Sequence, residues 1–224
     1  MSNYILKYSR DDRVKYISHL DFMRLFHRTI RRTGMNFVFS QGFNPHPIMT
    51  VAQPLSVGVT SDCEYMKVGF DGEYSEKEIV DTINGAFPPG YKILAAKKVE
   101  GKEIDLTKLD RAVYTIELEY EGNADIDALL ANDELVVMKK TKSGVKESDI
   151  RPYIYSIEKI GDENGILTLK MCIAVGSVYN LKPQSVIDAM EKYLDNFKAG
   201  FMNVHRNSMT YGNVEFLLYL FNKS

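Results

Sequence analysis

Two rhythms of apolar residues run along this chain. The first has period two. Met66, Val68 and Phe70 alternate with Tyr65, Lys67 and Gly69, and Tyr114, Ile116, Leu118 and Tyr120 alternate with Val113, Thr115, Glu117 and Glu119. Alternation predicts strands buried on one face. The second rhythm spaces apolar residues three and four apart. It runs through Leu20, Met23, Phe26 and Ile30, then Ile79, Val80, Ile83 and Phe87, then Val186, Ile187, Met190 and Leu194. These sets predict helices whose apolar stripes lie on a sheet.

Local signals set the boundaries. Ser18 is placed to cap the first helix, with Asp21 three positions on to favour its N-terminus and Gly34 as the residue that ends it. Ser75-Glu76-Lys77-Glu78 is a capping box for the second helix, and Pro88-Pro89-Gly90 stops it. Pro183 suits the first turn of the last helix. Strands are expected at Tyr4–Tyr8, Asn36–Ser40, Met49–Ala52, Glu64–Phe70 and Tyr91–Val99. After a charged linker, Glu100–Lys108, further strands are expected at Ala112–Tyr120, Leu135–Lys140, Arg151–Lys159, Ile166–Ala174 and Asn203–Thr210, with a short helix at Asp125–Ala131. Lys142–Lys146 reads as a basic loop, and the apolar run Val214–Phe221 as an edge strand or a docking segment.

The order strand, helix, strand, strand, helix, strand is the ferredoxin-like one, and it begins again after the linker. The expected fold class is therefore α+β: two tandem ferredoxin-like (βαββαβ) domains with antiparallel sheets, residues 1–104 and 105–224.

Composition narrows the function. The net charge is −2 over 224 residues, so any polyanion must be held by a local patch rather than a whole-protein field. Cys63 and Cys172 are far apart, with no Cys-x-x-Cys and no Cys/His cluster, so neither a metal site nor an iron–sulfur cluster is expected in this chain. Walker, Gly-x-Gly-x-x-Gly and Gly-x-Ser-x-Gly patterns are missing. With neither a membrane-length apolar run nor a signal-peptide pattern, a cytoplasmic protein that does not meet a membrane is expected.

Two stretches carry candidate chemistry. On the first helix, Arg24, Arg28 and Arg31 share a face, with His19 and Asp21 at its start. Guanidinium forks grip oxyanions bidentately. The loop Ser40-Gln41-Gly42-Phe43-Asn44-Pro45-His46-Pro47 is stiffened by its prolines and offers Gln41, Asn44 and His46 as fixed polar groups. A secondary basic patch comprises Lys139, Lys140, Lys142 and Arg151, beside Tyr153 and Tyr155, which are expected to share a sheet face on which bases can stack.

Tyr-Ile-Ser-His-Leu-Asp at residues 16–21 with Arg24, then Ser-Gln-Gly-Phe-Asn-Pro-His-Pro at 40–47, then Pro-Leu-Ser-Val-Gly-Val-Thr-Ser at 54–61, resemble the uncharacterised radical SAM-linked protein family. The resemblance is specific over roughly residues 3–70 and looser through Lys139-Lys140 and Asp149–Ile154. Its members are encoded beside a radical S-adenosylmethionine enzyme or fused to one. This implies a partner carrying the iron–sulfur cluster and S-adenosylmethionine. Members also often lie near genes for RNA processing and ribosomal proteins, which points to an RNA substrate. The tandem topology also resembles the CRISPR repeat-RNA endonucleases, although Phe201–Asn213 holds only Gly212 where those proteins have a glycine-rich loop.

The expected function is a non-catalytic accessory module that binds RNA, or another anionic substrate, for a radical SAM partner. The alternatives are a metal-independent RNA endonuclease with His19 or His46 as general acid or base, and a pure protein-docking domain.

Overall fold

The computed structural model describes residues 1–99, 105–141 and 144–216. The chain is mixed α+β with mostly antiparallel strand pairing, and it divides into two compact units: Met1–Leu109 with Asn213–Ser224, and Asp110–Gly212.

The first unit runs β1 (Ser2–Arg10), α1 (His19–Thr33), β2 (Met49–Val51), β3 (Val59–Phe70), α2 (Glu76–Ala86) and β4 (Tyr91–Val99). β1 lies between β4 and β3, and β2 pairs with the end of β3. Tyr4, Leu6 and Tyr8 of β1, Met66, Val68 and Phe70 of β3, and Ile93 of β4 form one apolar cluster with Phe22, Phe26 and Ile30 of α1 and Ile79 and Ile83 of α2. Both helices therefore cover the same sheet face. Truncating a side chain as enclosed as Phe26 costs about 3–5 kcal/mol.

The helix signals act as their residue types dictate. The Ser18 hydroxyl accepts from the Asp21 amide at 3.2 Å, and Gly34 ends α1 at φ +78°. Ser75 and Glu78 close a reciprocal capping box on α2. The apolar stripe of α1 is rotated from its expected position. Leu20 is 66% exposed, and Phe22 takes the buried place against Tyr8 and Tyr91. Asn36–Ser40 forms no continuous strand: only Phe37 and Phe39 make isolated bridges, to Phe70 and Pro47.

The second unit runs β5 (Arg111–Glu121), α3 (Ile126–Leu130), β6 (Val136–Thr141), β7 (Gly144–Asp149), β8 (Ile154–Glu163), β9 (Ile166–Ala174), α4 (Pro183–Tyr193) and β10 (Lys198–Tyr211). Its sheet order is β10-β5-β9-β8, and β6 and β7 form a separate hairpin. Tyr114, Ile116 and Leu118 are buried, as are Leu167, Leu169, Met171 and Ile173 of β9 and Val186, Ile187 and Met190 of α4. Two expectations change here. From Gly144 the basic segment is a strand, because it pairs with β6 from Thr141 back to Val136. Arg151–Tyr153 is a 3-10 turn rather than the start of a strand, as suits Pro152, which cannot donate to a ladder.

Of the apolar C-terminal run, Val214–Glu215 is a two-residue strand. Glu215 pairs with Lys7 at 2.6 Å, and Phe216 is buried edge-on against Tyr65. The rest of that run lies outside the described residues.

Candidate functional site

Helical geometry places Arg24, Arg28 and Arg31 within about 60° of one another around the axis of α1, and all three are exposed. They are not equivalent. Asp21 Oδ1 lies 3.1 Å from Arg24 Nη1, and the Ser18 hydroxyl donates to Asp21 Oδ2 at 2.7 Å. The Ser18 hydrogen bond, helped by the charges of Arg24 and Arg28, holds the Asp21 carboxyl below the usual carboxylate range. Asp21 is thus an internal counter-ion to the arginine face.

Arg28 lines an open cleft of about 540 Å³ with Tyr16, Ile17, Asp21, Leu25, Arg32 and Pro88. Arg32 is anchored there, since its Nη2 donates to the Ala86 carbonyl at 2.6 Å and to Thr29 Oγ1 at 3.3 Å. Sequence spacing grouped Arg28 with Arg31. The cleft groups it with Arg32, which comes to this flank because Pro88 and the end of α2 close the far wall.

The polar loop rises from the other flank of α1. Its base is fixed by backbone hydrogen bonds from Val38 to Gly69, Ile48 to Val38 and Ser40 to His46, each between 2.8 and 2.9 Å. Ser40 Oγ also accepts from the His46 amide at 3.1 Å and lies 3.0 Å from His46 Nδ1. Gln41 and Asn44 are exposed at the tip, where Gly42 takes φ +124°, and His46 is exposed at the base beside Ser40. The Gln41 and Asn44 side chains make no hydrogen bond among the described residues. His27, a helical neighbour of Arg24 and Arg31, contacts Phe37 and Phe39 at the loop base. The arginine face and the loop therefore adjoin along one side of the unit.

Spacing missed Phe43. It is fully solvent-exposed at the loop apex, held between Gly42 and Asn44. The signal was an aromatic residue inside an otherwise polar, proline-stiffened turn. His19, two residues from Asp21, points elsewhere, into a crevice lined by Tyr8, Arg10, Phe22 and Tyr91.

The second patch separates into different roles. Lys139 sits 3.7 Å above the Tyr179 ring and 3.4 Å from the Asn180 carbonyl. Arg151 is turned inward, donating from Nε and Nη2 to the Leu130 carbonyl at the end of α3. Lys140 has a place in the β6 ladder, opposite Val145, and Lys142 lies outside the described residues. Tyr153 and Tyr155 form no shared platform. Tyr153 stacks on Tyr179 at 3.6 Å and 3°, while Tyr155 lies under the Arg111 guanidinium at 4.2 Å. The reason is the 3-10 turn, which takes Tyr153 out of the strand.

Among the described residues no group of three or more His, Cys, Asp and Glu side chains is placed to hold a metal ion. Cys63 is buried, and burial raises the Cys172 thiol's pKa. No described helix is long and apolar enough to cross a membrane.

Among solved structures, a chain in the crystal structure of a Cbf5-Nop10-Gar1 complex superposes with a TM-score of 0.53 at 7% identity, over 92% of this chain and 48% of that one. This chain thus spans about half the length of that chain, and the likeness is one of fold. A crystal structure of an unknown protein from Galdieria sulphuraria aligns over 92% of this chain and 98% of that one, at 10% identity and a TM-score of only 0.24. No curated protein matches the sequence. The family profile described as "uncharacterized protein conserved in bacteria" (DUF2344) matches residues 3–183, most of the length, and the chain belongs to that family.

Proposed function

We propose that this protein is a non-catalytic accessory module that binds RNA, or another polyanionic substrate, for a partner radical SAM enzyme. The partner, with its iron–sulfur cluster and S-adenosylmethionine, is inferred from the sequence resemblance alone. The binding role rests on one observation: the exposed arginine face of α1 and the polar loop adjoin through His27. Arginines there hold phosphates, and Gln41, Asn44 and His46 meet base edges or sugar. Phe43 offers a bare ring on which a base stacks. We read both units as ferredoxin-like. The orders β4-β1-β3-β2 and β10-β5-β9-β8 support this, with the β6–β7 hairpin as an insertion in the second.

The test is RNA binding across a salt series. Reversing Arg24, Arg28 and Arg31 to Glu should weaken binding at least tenfold at low salt and reduce the log–log salt slope by about 2–3. Unchanged binding in the triple variant overturns the assignment of this face.

A second reading, a protein-docking surface, is favoured by the exposure of Phe43 and Leu20 beside the same helix. Retention of the partner, with unchanged affinity, in nuclease-treated lysate would select it. RNA cleavage by the purified chain, lost in His46→Ala, would make the protein an enzyme instead.

A further inference from the structure

We infer that the crevice between β1, the start of α1 and β4 is a second anion site, built to seat one anionic oxygen of a carboxylate or phosphate group. Arg10 is 5% exposed and enters the first unit's interior at the end of β1. Its Nη2 donates to the carbonyls of Lys15 and Ile17. No carboxylate among the described residues pairs with it, and its buried Nε makes no hydrogen bond. Tyr91, at the start of β4, is 6% exposed and its buried hydroxyl also lacks a partner. Both residues line one crevice with Tyr8, His19, Val51 and Leu55.

An unsatisfied donor in a folded interior calls for an explanation, and two around one hole call for a common one. The free room is about 10 Å³, enough for one oxygen-sized atom. Both orphan groups can donate, and one belongs to a buried cation, so the complementary occupant accepts hydrogen bonds and carries negative charge. Water would meet the donors but leave the guanidinium without a counter-charge. A metal ion or an ammonium group would face a fixed positive charge. Half-buried His19 and Leu55 and exposed Pro54 form the mouth, so the rest of the ligand stays at the surface. On the α1 wheel His19 lies about 140° from Arg24. The site is therefore separate from the arginine face and independent of the RNA reading.

Tyr91→Phe is the decisive variant. The ring keeps its place between Phe22 and Phe87, and only the hydroxyl is lost. Sodium formate and inorganic phosphate are titrated separately onto the full chain at constant ionic strength, with thermal melting and calorimetry as readouts. Wild type should bind at least one of them saturably, and Tyr91→Phe should weaken that binding at least tenfold. Preference for formate identifies a carboxylate ligand and preference for phosphate a phosphorylated one. Because the readout is dependence on Tyr91, phosphate held on the arginine face does not count. Saturable binding of neither anion, or equal affinity in Tyr91→Phe, overturns the proposal. So does a crystal grown in formate that shows only water against Arg10 Nε.

Discussion

His27 and Phe39 meet edge to face, with ring centroids 6.5 Å apart and planes at 76°. The contact ties the middle of α1 to the base of the polar loop, and a ring pair of this kind contributes about 1 kcal/mol. His27→Ala should increase amide exchange across residues 40–46 and lower RNA affinity without removing any arginine. Hydrogen-exchange mass spectrometry reads the first effect. Unchanged exchange would show that the loop is held by its own hydrogen bonds alone.

Ser40 supplies those internal bonds. Ser40→Ala removes the acceptor for the His46 amide and the hydroxyl beside His46 Nδ1. The expected cost is about 1 kcal/mol. The loss should appear as line broadening of His46 and its neighbours in NMR, with the sheet resonances unmoved.

Asp21 gives the arginine face a pH signature. Its carboxyl is depressed by the Ser18 hydroxyl first, and by Arg24 and Arg28. A carboxylate depressed in the folded chain stabilises it above the ordinary carboxylate pKa of about 4, and loses that effect as pH falls through the depressed value. Melting temperature should therefore fall below about pH 4, and Asp21→Asn should flatten that acid limb. The same substitution frees Arg24 of its counter-ion, so RNA affinity at neutral pH should rise. A fall in affinity would mean that Asp21 contacts the ligand.

Arg151 serves the second unit's stability. It satisfies the Leu130 carbonyl, left open where α3 ends. Arg151→Met should cost about 1.5–3 kcal/mol, the range for hydrogen bonds to charged groups. RNA binding should not change beyond that cost. A selective loss of binding would return Arg151 to the interface.

Gly122 follows β5 at φ +93°, and a β-carbon there would collide with the Asn196 carbonyl. Both the backbone angle and the space demand glycine. Gly122→Ala should destabilise the second unit by more than about 2 kcal/mol, as urea unfolding would show. A loss below half of that would mean that the Asn196 turn yields freely.

Local chemistry was legible in the sequence wherever one residue type satisfies a nearby backbone group. Ser18, Gly34 and the Ser75–Glu78 box act within a single turn of helix, and each stands where its pattern placed it. Leu20 was misplaced because a three-and-four spacing at a helix start fits two neighbouring stripes. The sheet chose Phe22, whose ring fills the space between Tyr8 and Tyr91. Tyr153 was misplaced because Pro152 starts a turn whose partner, Tyr179, lies far along the chain.

The sequence by itself determined the rhythm of strands and helices, the helix ends, the stiffness of the loop and the common face of Arg24, Arg28 and Arg31. All of these depend on neighbours within about one helical turn or one pleat. Tertiary packing alone decided which arginine lines a cleft with Arg32, that His27 meets the base of the loop, that Arg151 turns inward, and that Arg10 and Tyr91 share a hole. Those contacts join residues distant in sequence, and no local pattern encodes where two such residues meet once the core has closed.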